Sequence, residues 1–266
     1  MSEKQIDIPV MEIFGPVIQG EGFMCGKSTF FVRLGGCDYR CVWCDTKYAV
    51  TPSEVSKNAT RMTHEQILYE LMELGCTGGD NITLSGGNPA MHDMEPFVDL
   101  CISNNFSITI ETQGTLFRPW LQKVDYVSVS PKPPSSGHQV SFTSFKTWLD
   151  KLYSSEDIPL HLGIKLVTFD AFDVDWAINF LNSAVTWIEK GWSAPWDRDV
   201  SLFIQPGSGR VGNYNEEGMS IDEMRQSIAD SYDMVAQRIL RQDELRQVVR
   251  VIPQVHTLIY GDVRGV

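Results

Sequence analysis

The sequence lacks an excess of positive charge. Its 266 residues include 22 Lys and Arg against 34 Asp and Glu, a formal net charge of -12. A protein that grips nucleic acid nonspecifically must neutralise phosphates, so it usually carries a basic face. Because the sequence has no basic stripe, we expect a small-molecule substrate and no nucleic-acid partner.

Long apolar runs are also missing. No run reaches the ~18 residues of a membrane-spanning helix, and the start, MSEKQIDIPV, lacks an apolar signal core behind a basic stretch. We therefore expect no membrane partner and a cytoplasmic location. The sequence has no fixed-period repeat or low-complexity tract, and its length and composition favour one domain over residues 1–266.

A second cysteine pair is absent. Cys25, Cys76 and Cys101 are isolated, and we expect them to be small buried hydrophobes. A structural zinc site needs four ligands, often from two C-x2-C pairs, and no second pair or histidine cluster follows the single pair present. These absences disfavour zinc, and a reducing compartment disfavours disulfides.

The remaining cysteines form one cluster. Cys37, Cys41 and Cys44 have the spacing C-x3-C-x2-C, directly after Gly35-Gly36. A loop opened by glycines can wrap three thiolates around an iron–sulfur cluster, and three ligands leave one iron open for chemistry. The spacing therefore favours a three-ligand Fe-S cluster over zinc.

Apolar strands alternate with amphipathic helices, and each strand is followed by polar or glycine residues. This alternation predicts an α/β fold with a parallel sheet and ligands at the carboxyl edge of its strands. The predicted strands are 30–34, 81–84, 107–110, 126–129, 163–169, 202–204 and 248–252, and the predicted helices are 63–74, 94–103, 142–151, 174–181 and 222–240. Thr63 and Gln66 fit a capping box at the start of the first helix. Because the strands are too few for a closed eight-fold barrel, we predict a partial, open (β/α) barrel.

Residues 184–218 interrupt this alternation. The segment from Ala184 to Asp199 contains Trp187, Trp192 and Trp196 among many charges. We interpret the region as a variable surface excursion whose tryptophans pack on the body of the protein, with a lid or partner surface as the alternative.

The cysteine spacing resembles that of the radical S-adenosylmethionine (SAM) superfamily, and further motifs resemble the 7-carboxy-7-deazaguanine synthase family over nearly the whole chain. These motifs are Ile13 to Pro16, Gln19 to Gly22, Arg33, Cys44 to Thr46, Ser85 to Pro89, Glu111 to Gly114, Ser130 to Pro134, Pro253 to His256 and Arg264 to Val266. The resemblance implies a radical SAM type of barrel, a lyase and a role in queuosine or other 7-deazapurine biosynthesis.

The resemblance also implies the chemistry. A 4Fe-4S cluster reductively cleaves SAM, and the resulting radical takes a hydrogen atom from 6-carboxy-5,6,7,8-tetrahydropterin. The pterin ring contracts, ammonia leaves and 7-carboxy-7-deazaguanine forms, with SAM regenerated and Mg²⁺ assisting. A reductant such as flavodoxin and a homodimer are the expected partners.

The family motifs assign candidate roles to residues of this sequence. Expected metal ligands are Cys37, Cys41 and Cys44 for the cluster and Thr46 for Mg²⁺. Expected cofactor-binding residues are Trp43, Cys44, Asp45, Gly86, Gly87, Glu111, Ser130, Pro131 and Lys132. Expected substrate-binding residues are Ile18, Gln19, Gly20, Glu21, Arg33, Ser85, His256 and Val266. Arg33 also has a physical argument, since a charge inside an apolar strand needs a partner or a cavity and its guanidinium can fork onto a carboxylate.

Two other functions remain open from the sequence. A glycyl-radical activase would share the cofactor site but not Arg33, the loop around Gln19 or the Arg264-Gly265-Val266 tail. A non-enzymatic zinc or Fe-S module would need a fourth ligand and would leave the polar strand ends unexplained.

Overall fold

The computed structural model describes residues 7–154, 161–189, 200–207, 220–261, 263 and 265. The strands are β1 (Ile8–Ile18), β2 (Ser28–Leu34), β3 (Thr60–Met62), β4 (Asn81–Gly86), β5 (Ser107–Thr112), β6 (Tyr126–Val129), β7 (His161–Thr168), β8 (Val200–Pro206) and β9 (Val249–Val251). The helices are α1 (Lys47–Val50), α2 (Pro52–Asn58), α3 (His64–Glu73), α4 (Glu95–Ser103), α5 (Phe142–Leu152), α6 (Ala171–Glu189), α7 (Ile221–Leu240), α8 (Leu245–Val248) and α9 (Val255–Tyr260).

One sheet connects all the strands of the described residues, in the order β3-β1-β2-β4-β5-β6-β7-β8-β9. From β2 to β9 every neighbouring pair is parallel. The end strands β3 and β9 do not pair, so the predicted partial, open barrel is confirmed. The predicted parallel sheet is confirmed from β2 to β9, and an antiparallel edge that was not predicted adjoins it, where β1 pairs with both β2 and β3.

The central strands alternate apolar and polar side chains. On β5, Ile108 and Ile110 are buried in the core that the sheet shares with the helices, whereas Thr109 is buried in a polar cluster and Glu111 lines a cavity. Successive side chains of a strand point to opposite faces. The helices therefore cover an apolar outer face, and the inner face of the barrel is polar.

Hydrogen bonds satisfy the polar inner face. The Thr29 hydroxyl lies 2.8 Å from both Asn81 Oδ1 and Thr83 Oγ1, and Asn81 Nδ2 donates to Thr109 Oγ1 at 2.9 Å. Buried hydroxyl and amide groups are costly unless they are paired. This network joins β2, β4 and β5 inside the barrel.

The loop from β1 to β2 enters the barrel. Gln19 N donates to Lys27 O at 2.9 Å and closes the loop at its base. Phe23 at its tip packs on the rings of Tyr126 and His161, with centroids 5.4 and 5.8 Å away. Those residues begin β6 and β7, so the loop fills the interior opposite the carboxyl edge of the strands.

Several sequence-based boundaries change. Helix α6 extends to Glu189, beyond the predicted end at residue 181. Trp187 packs against the core, in agreement with the interpretation that the tryptophans of this region pack on the body of the protein. Trp192 and Trp196 lie outside the described residues. Strands β1 and β3 and the short helices α1, α2, α8 and α9 were not predicted.

Membrane-spanning helices are absent from the part of the chain that the structure describes, since no helix there is both long and apolar enough.

The predicted capping box of α3 is confirmed: Gln66 N donates to Thr63 Oγ1 at 3.3 Å, and Thr63 N donates to Gln66 Oε1 at 2.8 Å. We expect Thr63→Ala to lower the free energy of unfolding by about 1 kcal/mol, measured by urea denaturation. Thr51 is a matched control, because it is the N-cap of α2 but makes no side-chain cap hydrogen bond. An equal loss in Thr51→Ala would contradict this assignment.

Candidate active site

A cavity of about 610 Å³ opens at the carboxyl edge of the strands. It brings together nearly all the residues proposed from the sequence: Ile18, Gln19, Gly20, Glu21, Arg33, Cys37, Cys41, Trp43, Cys44, Asp45, Thr46, Ser85, Gly86, Gly87, Glu111, Ser130, Lys132 and His256. Pro131 is buried beside the lining rather than in it. Val266 lies outside the described residues.

Glycines pack the end of β4 against the start of the cysteine loop. Gly36 adopts φ +102, which favours glycine, and its N–H donates to Ala49 O at 2.7 Å. Asn88 N donates to Gly36 O at 2.8 Å. A Cβ on Gly87 would overlap the Gly36 carbonyl. The sequence motif of residues 85–89 is therefore a backbone-to-backbone contact that sets the position of the cysteines.

The three cysteines of the loop line the cavity as half-buried thiols. Burial raises the pKa of Cys41 to about 11 and also raises the pKa values of Cys37 and Cys44. Within the described residues, no three His, Cys, Asp or Glu side chains converge as ligands of a single ion. In a multi-iron cluster each of the three thiolates would bind a different iron.

Trp43 is fixed between the cysteines and the segment that follows β6. Its Nε1–H donates to Ser135 Oγ at 2.9 Å, and its ring lies 4.6 Å from that of Phe169. Lys132 Nζ lies 5.9 Å from the Trp43 ring centroid and donates to Ser130 Oγ at 3.0 Å. Burial lowers the pKa of Lys132. An aromatic ring and a half-buried lysine therefore lie next to the cysteines.

Glu111 links two of the predicted substrate residues. Ser85 Oγ donates to Glu111 Oε2 at 2.7 Å, and Gln19 Nε2 donates to Glu111 Oε1 at 3.1 Å. The first contact joins β4 to β5, and the second reaches across from the β1–β2 loop. Each carboxylate oxygen retains a lone pair that a ligand hydroxyl or amine can use.

Arg33 near the end of β2 has a carboxylate partner. Its Nε donates to Glu12 Oε1 at 2.5 Å, and the Tyr48 hydroxyl donates to the same oxygen at 2.6 Å. Tyr48 and Glu12 raise the pKa of Arg33 against the opposing effect of burial. Thr46 Oγ1 donates to Asp45 Oδ1 at 2.5 Å, and both residues line the cavity with Arg33.

The Glu21 carboxylate accepts hydrogen bonds from three side chains of the cavity wall. Lys165 Nζ donates to its Oε2, as does Gln205 Nε2 at 3.1 Å, while Gln254 Nε2 donates to Oε1 at 2.7 Å. His256 Nε2 lies 3.7 Å from Oε1. Burial alone raises the pKa of Glu21, but Lys165 and His256 outweigh burial and hold that pKa well below its ordinary value. Glu21 therefore joins the β1–β2 loop to β7, β8 and the segment before α9.

Sequence reasoning missed Glu12, Tyr48, Lys165, Gln205 and Gln254, all of which line the cavity. Lys165 had a usable signal, because it is a charge inside the apolar strand GIKLV, as Arg33 is in FFVRL. Glu12 accepts from Arg33, and Gln254 donates to Glu21. Both partners are distant in sequence, so these contacts are evident only from the fold.

The isolated cysteines divide into two cases. Cys76 and Cys101 are buried in the core, as predicted. The prediction is wrong for Cys25, which is only half-buried because it lies on the β1–β2 loop near Glu21, where burial and that carboxylate raise its pKa.

Lys165→Met should lower the free energy of unfolding by about 3 kcal/mol, because it leaves the Glu21 carboxylate buried without its cation. Glu21 has a lowered pKa, so its stabilisation is present at neutral pH and decreases as pH falls below the ordinary value of 4.5. Urea denaturation at pH 7 and at acidic pH measures both effects. The matched control is Lys146→Met, whose exposed pair with Asp150 should contribute less than about 1 kcal/mol; equal losses would contradict the interpretation.

Comparisons with known proteins identify the family of this chain. Residues 31–135 match the family model of the radical SAM superfamily. The chain is 34% identical over 260 residues to 7-carboxy-7-deazaguanine synthase of Bacillus subtilis (strain 168), covering 97% of this chain and 98% of the relative. It is also 34% identical over 262 residues to the synthase of Bacillus cereus, covering 97% and 99%.

The fold is shared with a solved structure. The crystal structure of QueE from Escherichia coli superposes with a TM-score of 0.63 and 22% identity, covering 96% of this chain and 100% of that chain. The structural match shows the fold alone, whereas the 34% identity to two relatives over 97% of this chain shows the family. The chain belongs to the 7-carboxy-7-deazaguanine synthase family of the radical SAM superfamily.

Proposed function

We propose that this chain is a radical SAM lyase that converts 6-carboxy-5,6,7,8-tetrahydropterin to 7-carboxy-7-deazaguanine with loss of ammonia. The observation that carries the proposal is one cavity lined both by the three cysteines and by the Arg33, Gln19 and His256 side chains. Three thiols suit an Fe-S cluster, and the charged and amide groups suit a carboxylated heterocycle.

The cluster and SAM fit the cysteine end of the cavity. Cys37, Cys41 and Cys44 would hold the 4Fe-4S cluster and leave one iron open to SAM. When bound, these groups supply the radical that takes a hydrogen atom from the substrate. The residues proposed to bind SAM are Trp43, Cys44, Asp45, Gly86, Gly87, Glu111, Ser130, Pro131 and Lys132.

Arg33 is the proposed clamp for the substrate carboxylate. Glu12 and Tyr48 fix one edge of its guanidinium, and within the described residues only its Nε has a protein hydrogen-bond partner. The two Nη groups are therefore the donors proposed for a bidentate contact with the ligand. Thr46 and Asp45, which line the cavity with Arg33, are hard oxygen donors of the kind that Mg²⁺ prefers, with substrate and water completing its shell.

The pterin ring is proposed to bind along the cavity wall that includes the β1–β2 loop. The residues proposed for it are Ile18, Gln19, Gly20, Glu21, Ser85 and His256. Val266, also proposed from the family motifs, lies outside the described residues. Glu21 already accepts hydrogen bonds from Lys165, Gln205 and Gln254. A carboxylate has about four acceptor positions, so Glu21 has little capacity left and mainly fixes the shape of this wall.

The proposal extends to partners and location. A reductant such as flavodoxin, a homodimer and a cytoplasmic location follow from the family resemblance, and a reducing compartment would keep the six cysteines as thiols.

Anaerobic reconstitution with iron and sulfide tests the proposed function. We expect protein with its cluster, given reductant, SAM and 6-carboxy-tetrahydropterin, to form 7-carboxy-7-deazaguanine, detected by mass spectrometry. Cys41→Ala should lose both the cluster and the product, whereas Cys76→Ala should retain them, because Cys76 is buried in the core away from the cavity. SAM cleavage without this product would contradict the proposed substrate. Full activity of Cys41→Ala would contradict the assignment of Cys41 as a cluster ligand.

Arg33→Met should reduce pterin turnover about 10- to 100-fold, the loss expected when a charge-assisted hydrogen bond of about 1.5–3 kcal/mol is removed. Slow SAM cleavage without pterin should persist, because the cysteine end is unchanged. Steady-state product formation and 5'-deoxyadenosine release measure the two effects. Arg61→Met on the exposed face of β3 is the matched control; unchanged turnover in Arg33→Met would remove Arg33 from the substrate wall.

A further inference from the structure

We infer that Asp173, acting through Ser135, is a positioning residue for Trp43 and so for the cofactor end of the cavity. Asp173 lies on the first turn of α6, and neither Asp173 nor Ser135 lines the cavity. The inference rests on the proposed function in one respect, namely that SAM binds beside Trp43.

Asp173 is a fully buried carboxylate with three donors. Its Oδ1 accepts from Ser135 N at 3.1 Å, and its Oδ2 accepts from Ser135 Oγ at 2.5 Å and from Phe169 N at 3.1 Å. The side chain is 0% exposed. A buried carboxylate is tolerated when hydrogen bonds compensate for lost hydration. The three contacts tie the segment after β6 to the segment after β7.

The Ser135 hydroxyl links Asp173 to Trp43 by hydrogen bonds to both side chains. An indole N–H can only donate, so Ser135 Oγ must accept the 2.9 Å hydrogen bond from Trp43. The single hydroxyl proton is then directed to Asp173 Oδ2. The donor-only indole fixes the direction of the first hydrogen bond, and the Ser135 hydroxyl donates the second to Asp173 Oδ2. Burial raises the pKa of Asp173, and the hydrogen bonds from Ser135 and Phe169 oppose that rise.

Trp43 is held from two sides by the same carboxylate. One side is the indole N–H, through Ser135. The other is the ring of Phe169, 4.6 Å away, whose own backbone N–H donates to Asp173. Because Trp43 lies between Cys41 and Cys44, the orientation of its ring and the course of the cysteine loop are set together.

An amide cannot replace the carboxylate at this point. Asparagine has one acceptor oxygen in place of two, and its NH₂ group would face either a backbone N–H or the Ser135 hydroxyl. If the NH₂ group donates to Ser135 Oγ, it competes with Trp43 for that oxygen. Asp173→Asn therefore keeps the size of the side chain but disrupts the hydrogen bonds that hold the indole.

The test compares reconstituted Asp173→Asn and Ser135→Ala with wild-type protein. We expect both variants to keep the wild-type iron content and to bind SAM about tenfold more weakly, measured by equilibrium dialysis. The change that SAM causes in the electron paramagnetic resonance spectrum of the reduced cluster should also diminish. The double variant should bind SAM no more weakly than whichever single variant binds it less tightly. The reason is that both changes break the same chain of hydrogen bonds from Asp173 through Ser135 to Trp43.

Two matched controls separate positioning from general stability. Asp170→Asn makes the same substitution at the exposed residue directly before α6, which accepts from Asp173 N and, among the described residues, makes no hydrogen bond with Ser135. Ser135→Thr retains the hydroxyl. Both should bind SAM within about twofold of wild type. If Asp173→Asn does not fold, Ser135→Ala against Ser135→Thr decides the question.

The inference fails if Asp173→Asn and Ser135→Ala bind SAM as wild type does, if their effects add, or if only the thermal unfolding temperature changes. It is separable from the proposed function. Wild-type protein that binds SAM but forms no 7-carboxy-7-deazaguanine would overturn the substrate assignment and leave the inferred role of Asp173 unaffected.

Discussion

The buried carboxylate of Glu21 is the contact on which the interior of the barrel depends. An open sheet has two distant edges, and here the loop between β1 and β2 crosses the interior to reach the far strands. Lys165 and Gln205, on β7 and β8, both donate to Glu21, as does Gln254 before α9. Burying the ion pair of Glu21 and Lys165 removes both charged groups from water. Whether their attraction offsets that loss of hydration depends on the geometry of the pair and on its additional hydrogen bonds. With its partners in place, the pair fixes the floor of the cavity rather than merely adding stability.

The polar inner face follows from the same constraint. A barrel interior of this size could be filled with apolar side chains, but then the cavity would offer no donors or acceptors to a polar ligand. The inner-facing residues of β2, β4 and β5 instead bond to one another through Thr29, Asn81 and Thr109. Near the carboxyl edge the inner side chains, such as Ser85 and Glu111, line the cavity instead and can contact a ligand. Along β4 and β5, the side chains deeper in the barrel therefore hold the strands together, and those near the carboxyl edge face the cavity.

Much of the fold and the cavity was predictable, and the reasons for the failures are physical. Parallel strands are buried on both faces and are bounded by glycine and polar residues, so β4 to β8 gave clear patterns. Strand β1 did not, because Pro9 and Gly15-Pro16 interrupt its alternation, and β3 is only three residues long. The cavity followed from strand ends and the cysteine spacing. Partners such as Glu12 were not predictable, since pairing across antiparallel strands depends on a register that sequence patterns do not specify.

The charges of the cavity differ in how completely the protein neutralises them. Glu12 compensates Arg33 and Glu21 compensates Lys165, so those cations are stable before any ligand arrives. Within the described residues Lys132 has no comparable ion pair: its Nζ donates to the neutral Ser130 hydroxyl at 3.0 Å, and burial lowers its pKa. An anionic ligand group beside Lys132 would favour the charged amine and reverse that shift. Lys132, one of the residues proposed to bind SAM, is therefore a cation next to the cysteines whose charge a bound anionic group would compensate.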